Sequence, residues 1–170
     1  MNRIDPWGLR DVDVYIWDWR GLGVVGDGSV GHVMITEHNS SEVILSLFPR
    51  NTWFSNPNTR YSVMDTHLKM GRSYDRMYVV KVPNDEAFDR VAADHRARDI
   101  WNWSPTNNNQ THCTRSAYDA LKAGGVPLSG HDSSQILPRV LDELLEGLSI
   151  VYELQKPFNT TNGWGVTKIQ

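Results

Sequence analysis

Apolar and polar residues alternate from Val12 to Trp19, a stretch rich in β-branched and aromatic side chains, which predicts a strand. A second β-rich run spans Gly31 to His38 and a third spans Glu42 to Phe48, with the short polar turn Asn39-Ser40-Ser41 between them. Two such runs about a short turn predict an antiparallel hairpin, which Pro49 ends. Residues 50–76 are polar, with Asn56-Pro57-Asn58 inside them, and are expected to be loop with one short strand. Met77 to Val82 is a further strand, closed by Pro83-Asn84.

The period then changes from two to 3.6. Ala87, Val91 and His95, with Phe88 and Ala92 beside them, predict a helix over 85–103, capped by Asn84 or Asp85 and ended before Pro105. A polar loop, Thr106 to His112, leads into a second helix over Cys113–Ala123. Here Cys113, Ala117, Ala120 and Leu121 lie on or near one face, and Gly124-Gly125 stops the helix. Leu137 to Leu148 predicts a third helix with Pro138 in its first turn. Val151 to Leu154 is expected as a strand and the tail after Pro157 as peripheral. The expected class is α+β, an antiparallel sheet packed against a helix that carries the cysteine at its N-terminus.

The 170 residues suit one domain with a single core; 39% are hydrophobic and 22% charged, the balance of a folded soluble chain. A net charge of −3 with scattered lysines and arginines argues against a nucleic-acid partner and against a nuclease. The single cysteine excludes an internal disulfide framework and a multi-cysteine zinc site. No metal or cofactor is expected. The glycine-rich stretch Gly21–Gly31 lacks the G-x-G-x-x-G register, a Walker lysine and a following helix. No run approaches the roughly 18 apolar residues of a membrane-spanning helix, and the first residues form no signal-peptide core.

The chemistry centres on Cys113. At a helix N-terminus a thiol meets unpaired N–H groups and the positive end of the helix dipole, both of which favour the nucleophilic thiolate. The Cys113 amide can also donate to an oxyanion. His32, after Gly31 at the start of its strand, points to the face opposite Val33 and Ile35 and is the expected base. Ser46, a diagonal neighbour on the paired strand, is the expected third group, with Asn51 and Glu37 as alternatives. His112 is a rival base, but adjacent side chains at a helix start diverge by about 100°, which makes it a flanking residue. His38 shares the parity of His32 but lies about 20 Å along the strand. His67, His95 and His131 carry no supporting pattern. A second oxyanion or substrate contact is expected from the Tyr15–Trp19 strand, with Trp17 and His112 as the candidates. The bland alternative is an inert, buried thiol.

Two resemblances extend this reading. Arg3-Ile4-Asp5-Pro6-Trp7-Gly8-Leu9 resembles the motif that closes the core shell of Rhs-repeat polymorphic toxins, where the shell is cut after the leucine and a toxin follows. That implies residues 1–9 as a junction remnant, with Asp5 and Leu9 at the cleavage site, and 10–170 as one toxin domain. The implied setting is interbacterial competition: an effector of type VI secretion, delivered without a signal peptide and neutralised at home by an immunity protein. Separately, the Gly31-His32 strand, Ser46-Leu47-Phe48-Pro49 on its partner, and a helix opening His112-Cys113-Thr114 and ending Ala123-Gly124-Gly125 resemble the circularly permuted papain-like cysteine hydrolases. This group includes NlpC-type amidohydrolases and lecithin–retinol acyltransferase-like proteins. The resemblance implies Cys113 as nucleophile, His32 as base and Ser46 as third polar group. It differs at His112, where members often carry asparagine. The implied reaction is hydrolysis of an amide in peptidoglycan or protein, or alternatively of a lipid ester, in which case membrane contact follows. A non-enzymatic binding toxin is the third reading.

Overall fold

The computed structural model describes residues 9–18, 31–49, 58–60, 74–97, 112–132, 136–155 and 164–169. Within them lie strands β1 (Arg10–Trp17), β2 (His32–Glu37), β3 (Val43–Leu45), β4 (Leu47–Pro49), β5 (Asn58–Arg60), β6 (Arg76–Val82) and β7 (Gly165–Lys168). The helices are α1 (Asp85–Ala97), α2 (Cys113–Ala123) and α3 (Pro138–Gln155). Five strands form an antiparallel sheet in the order β3-β2-β1-β6-β7, and β4 pairs with β5 in a separate ribbon. The class is α+β.

Strand β1 is the middle strand of the sheet and is buried on both faces from Val12 to Trp17. Val12, Val14 and Ile16 face the helices together with Val33, Ile35, Tyr78, Val80, Val82 and Val166. Phe88 and Ala92 of α1, Ala117, Tyr118, Ala120 and Leu121 of α2, and Leu141 and Leu145 of α3 complete that core. Each large side chain buried there contributes about 1.5–3 kcal/mol. The opposite face carries Tyr15, Trp17 and Met34 in a smaller cluster with Val43, Tyr74 and Met77.

Capping explains where two of the helices begin and end. The Asn84 side-chain oxygen accepts the Ala87 amide at 3.0 Å to start α1, whose first turn is acidic and last turn basic, as the helix dipole favours. At the C-cap of α2 only glycine fits at 124, where a Cβ would lie 2.4 Å from Val82 Cγ1. Gly125 follows at φ 92°, a left-handed conformation suited to glycine.

Several expectations change. The 42–48 run is interrupted at Ser46 into β3 and β4, with a bulge opposite Ile35 and Thr36. Residues 151–154 belong to α3, which runs on to Gln155, because Tyr152 continues its buried face against Trp164 and Gly165. The tail is not peripheral: β7 pairs with β6 and buries Val166 in the main core. A strand of four residues gives too short a period-two signal to be recognised by itself. Strand β1 begins two residues earlier than expected and ends at Trp17, and the expected helix beyond Ala97, residues 98–103, lies outside the described residues.

Candidate active site

Pairing puts the base candidate at one end of the sheet. His32 opens β2 in register with Trp17, the last residue of β1, and their rings lie 5.8 Å apart at 46°. Parity turns both rings to the face shared with Met34, opposite Val33 and Ile35. The chain leaves regular pairing at Ser46, and there its hydroxyl meets His32: Nε2 and Oγ are 3.1 Å apart, with both residues buried. The break between β3 and β4 is therefore what places the hydroxyl.

Helix α2 brings the sulfur to the same strand end from the other side of the sheet: the helix packs on the face of Val33 and Ile35, whereas the His32 ring shares the face of Trp17. Helix α2 contacts β2, β3 and β4, and the backbone N–H of Val33, the residue after His32, donates to Cys113 Sγ. The amides at the start of α2 and the Thr114 hydroxyl, whose Oγ1 is 3.8 Å from the sulfur, favour its charged form. Cys113 is 5% exposed. Burial pushes its thiol up from the ordinary range, and the Val33 amide, the Thr114 hydroxyl and the helix-start amides pull it back only in part. The expectation of a favoured resting thiolate is thus corrected. The donors are there, but desolvation of the charged form outweighs them.

His112 caps α2. Its Nδ1 accepts the Arg115 amide at 3.2 Å and its carbonyl accepts the Ser116 amide at 2.9 Å. His112 is buried, and capping the helix is the structural task its ring performs. Trp17 packs beside His32 as a wall of the site. Leu9 is half-buried directly before β1, while Asp5, Asn51 and His67 lie outside the described residues. Glu37, the other alternative to Ser46, is at the far end of β2 and pairs with Arg10.

Polar pairs that the sequence did not single out appear elsewhere. His95 is buried against Asp119, 3.1 Å away, which joins α1 to α2. The Tyr78 hydroxyl donates to Asp142 Oδ1 at 2.6 Å, and burial pushes both groups up. The four-residue spacing of Ala87, Val91 and His95 is the one sign in the sequence that His95 faces inward. The Val33 amide left no sign at all, since a backbone donor has no letter of its own. Among the described residues, no group of three or more His, Cys, Asp or Glu side chains is placed to hold a metal ion.

No family model matches this chain, and neither a curated protein nor a solved structure matches it.

Proposed function

We propose that this chain is a thiol hydrolase of the permuted papain-like kind, acting as an antibacterial toxin. The observation that carries the reading is the meeting of two elements at one strand end: the sulfur at the start of α2 takes the Val33 amide, and the preceding residue, His32, is held by Ser46. When His32 Nε2–H donates to Ser46 Oγ, the lone pair lies on Nδ1, the nitrogen that then serves as base. The Cys113 thiol gives its proton to Nδ1 as sulfur bonds to the carbonyl carbon. The amide of Cys113 stabilises the oxyanion. Collapse breaks the C–N bond, and the imidazolium returns the proton to the leaving amine. Water, deprotonated by the same imidazole, then cleaves the thioester and restores the thiol. Because burial keeps the resting thiol neutral, proton removal belongs to the reaction step itself.

The preferred substrate is an amide of peptidoglycan or protein. A lipid ester suits the same chemistry, with an alcohol leaving in place of an amine. The Arg3–Leu9 motif supports delivery as an Rhs effector, with Leu9 as the junction and a cognate immunity protein as partner. The burial of Cys113 favours one other reading, a binding toxin with a structural thiol. Expressing the wild type and Cys113→Ala in a susceptible cell, with and without a periplasmic signal peptide, decides between them. Killing lost in the folded variant supports the hydrolase, and the compartment that kills narrows the substrate. A folded Cys113→Ala that kills like the wild type overturns it.

A further inference from the structure

Helix α3 keeps apolar side chains in solvent. Among the described residues four large apolar side chains are exposed, and three of them lie on this helix or directly before it: Leu137 at 42%, Ile150 at 57% and Val151 at 41%. The apolar positions repeat by sevens. Leu137, Leu144 and Val151 are seven apart, and Val140 and Gly147 follow the first two by three residues, the spacing of a helix that packs along another helix. Val140 and Leu144 are half-buried at the rim of the core. Gly147 stands in this line, although glycine weakens a helix interior. A Cβ at 147 would meet nothing within 4 Å, so among the described residues no contact calls for glycine there.

We infer that α3 is a self-association face: two copies of this chain pair through it, antiparallel, about a two-fold axis between Leu144 and Gly147. In that register Leu144 of one copy seats in the space that Gly147 of the second leaves open, and Val140 meets Val151. Charge selects the direction. Arg139, which also meets its own Glu143 at 3.0 Å, stands near the start of the helix and comes level with Glu153 near the end of the second copy. A parallel pair would set Arg139 beside Arg139 and Glu153 beside Glu153, like against like. Glu146 comes level with Glu146 of the second copy, and Lys168 pairs with it within each chain. A face with opposite charges at its two ends matches its own inverted copy better than a partner of one sign. The 18 residues of α3 span about 27 Å. A strip of that length and one helix width falls below the about 1,200 Å² of stable interfaces, so the pair is weak and concentration-dependent. Nothing in it depends on the Cys113 chemistry.

Sedimentation velocity on the full chain tests this, over a range of about 1–500 µM that suits an interface of this size. The wild type is expected to pass from monomer to dimer as concentration rises. Gly147→Lys fills the space that receives Leu144 and is expected to weaken association about tenfold or more, the size of an overpacked contact. Lysine favours a helix over glycine, and circular dichroism verifies the fold. If that variant does not fold, Val151→Lys, at a position exposed to solvent, is read in its place. Arg139→Glu is expected to weaken the dimer, and Arg139→Glu with Glu153→Arg to restore it. A Gly147→Lys chain that dimerises like the wild type overturns the proposal, and a double swap that fails to restore overturns the antiparallel pairing. A wild type that stays monomeric overturns it too, and flotation of that monomer with phosphatidylglycerol vesicles would assign the face to lipid instead. The hydrolase reading fails separately: a folded Cys113→Ala that still kills removes it and leaves the sedimentation result standing.

Discussion

The two ends of β2 carry the same side chain on the same face and use it differently. At the far end, His38 Nδ1 lies 2.6 Å from Asp13 Oδ1, the other Asp13 oxygen accepts the Asn39 amide at 3.2 Å, and Glu37 pairs with Arg10, which also meets Asp89. At the near end, His32 has a neutral hydroxyl partner, and the next residue's amide belongs to a thiol on another element. A histidine–carboxylate pair is the arrangement more often associated with catalysis, yet here it clamps a turn in which Asn39 has φ 56°. The lesson is that the imidazole's partner does not locate a site. What distinguishes the two ends is the Cys113 sulfur, which takes the Val33 amide at the near end.

The contrast can be broken most decisively by removing each histidine. His32→Ala and Cys113→Ala are expected to lower killing or hydrolysis by about 10²–10⁴-fold, the usual contribution of a base or of the nucleophile it serves. His38→Ala should stay close to wild type in the same assay. The reverse outcome would move the site to the far end.

A crossed pair of substitutions sharpens the difference. Asp13 is 2% exposed and accepts from two groups, so Asp13→Ala should lower stability by about 2–3 kcal/mol in urea melts. Its turnover, measured below the melting range, should be unchanged. Ser46→Ala should weigh on the reaction instead: the loss of one neutral hydrogen bond costs only about 1 kcal/mol in the melt and, because that bond orients His32, slows the reaction about fivefold. Equal behaviour of the two would dissolve the distinction between a clamp and an orienting group.

Helix α2 supplies a third test, because its N-terminus serves the near end and its C-terminus packs at the far end. Gly124→Ala forces a methyl group against Val82 and should destabilise by about 1–3 kcal/mol. Residual catalysis per folded molecule should persist. A loss of activity without a loss of stability would show that the helix transmits strain to Cys113.

The smallest expected effect is one of pH. Burial raises the folded thiol above its unfolded value, so the unfolded chain releases its proton first. Stability from this group is complete below the unfolded thiol range and declines as pH rises through and beyond it. Urea melts from neutral pH to pH 10 should show wild type falling relative to Cys113→Ala on the alkaline side. A relative gain there would mean that the amides outweigh burial.

Much of this was legible along the chain. Alternation at Val12, Val14 and Ile16 marked the central strand, the Asn39–Ser41 turn marked the hairpin of β2 with β3, and Gly124-Gly125 marked the end of α2. These signals are local and repeat over several residues. The errors fell where the signal was short or distributed. The run 151–154 has strand-favouring residues but lies on a helix whose face packs on Trp164, and the four residues of β7 gain their place from β6. His95 and Asp119 are 24 positions apart and meet only because α1 packs on α2.

By itself, the sequence determined the α+β class, the helix that begins at Cys113, and the candidates His32 and Ser46, because periodicity, turn chemistry and capping act between near neighbours. Only the tertiary structure decided what surrounds the sulfur. The packing of α2 on β2 brings the Val33 amide to the sulfur, and burial keeps the thiol protonated. Each of these depends on a backbone group or on the exclusion of water, and neither is written in side-chain identity.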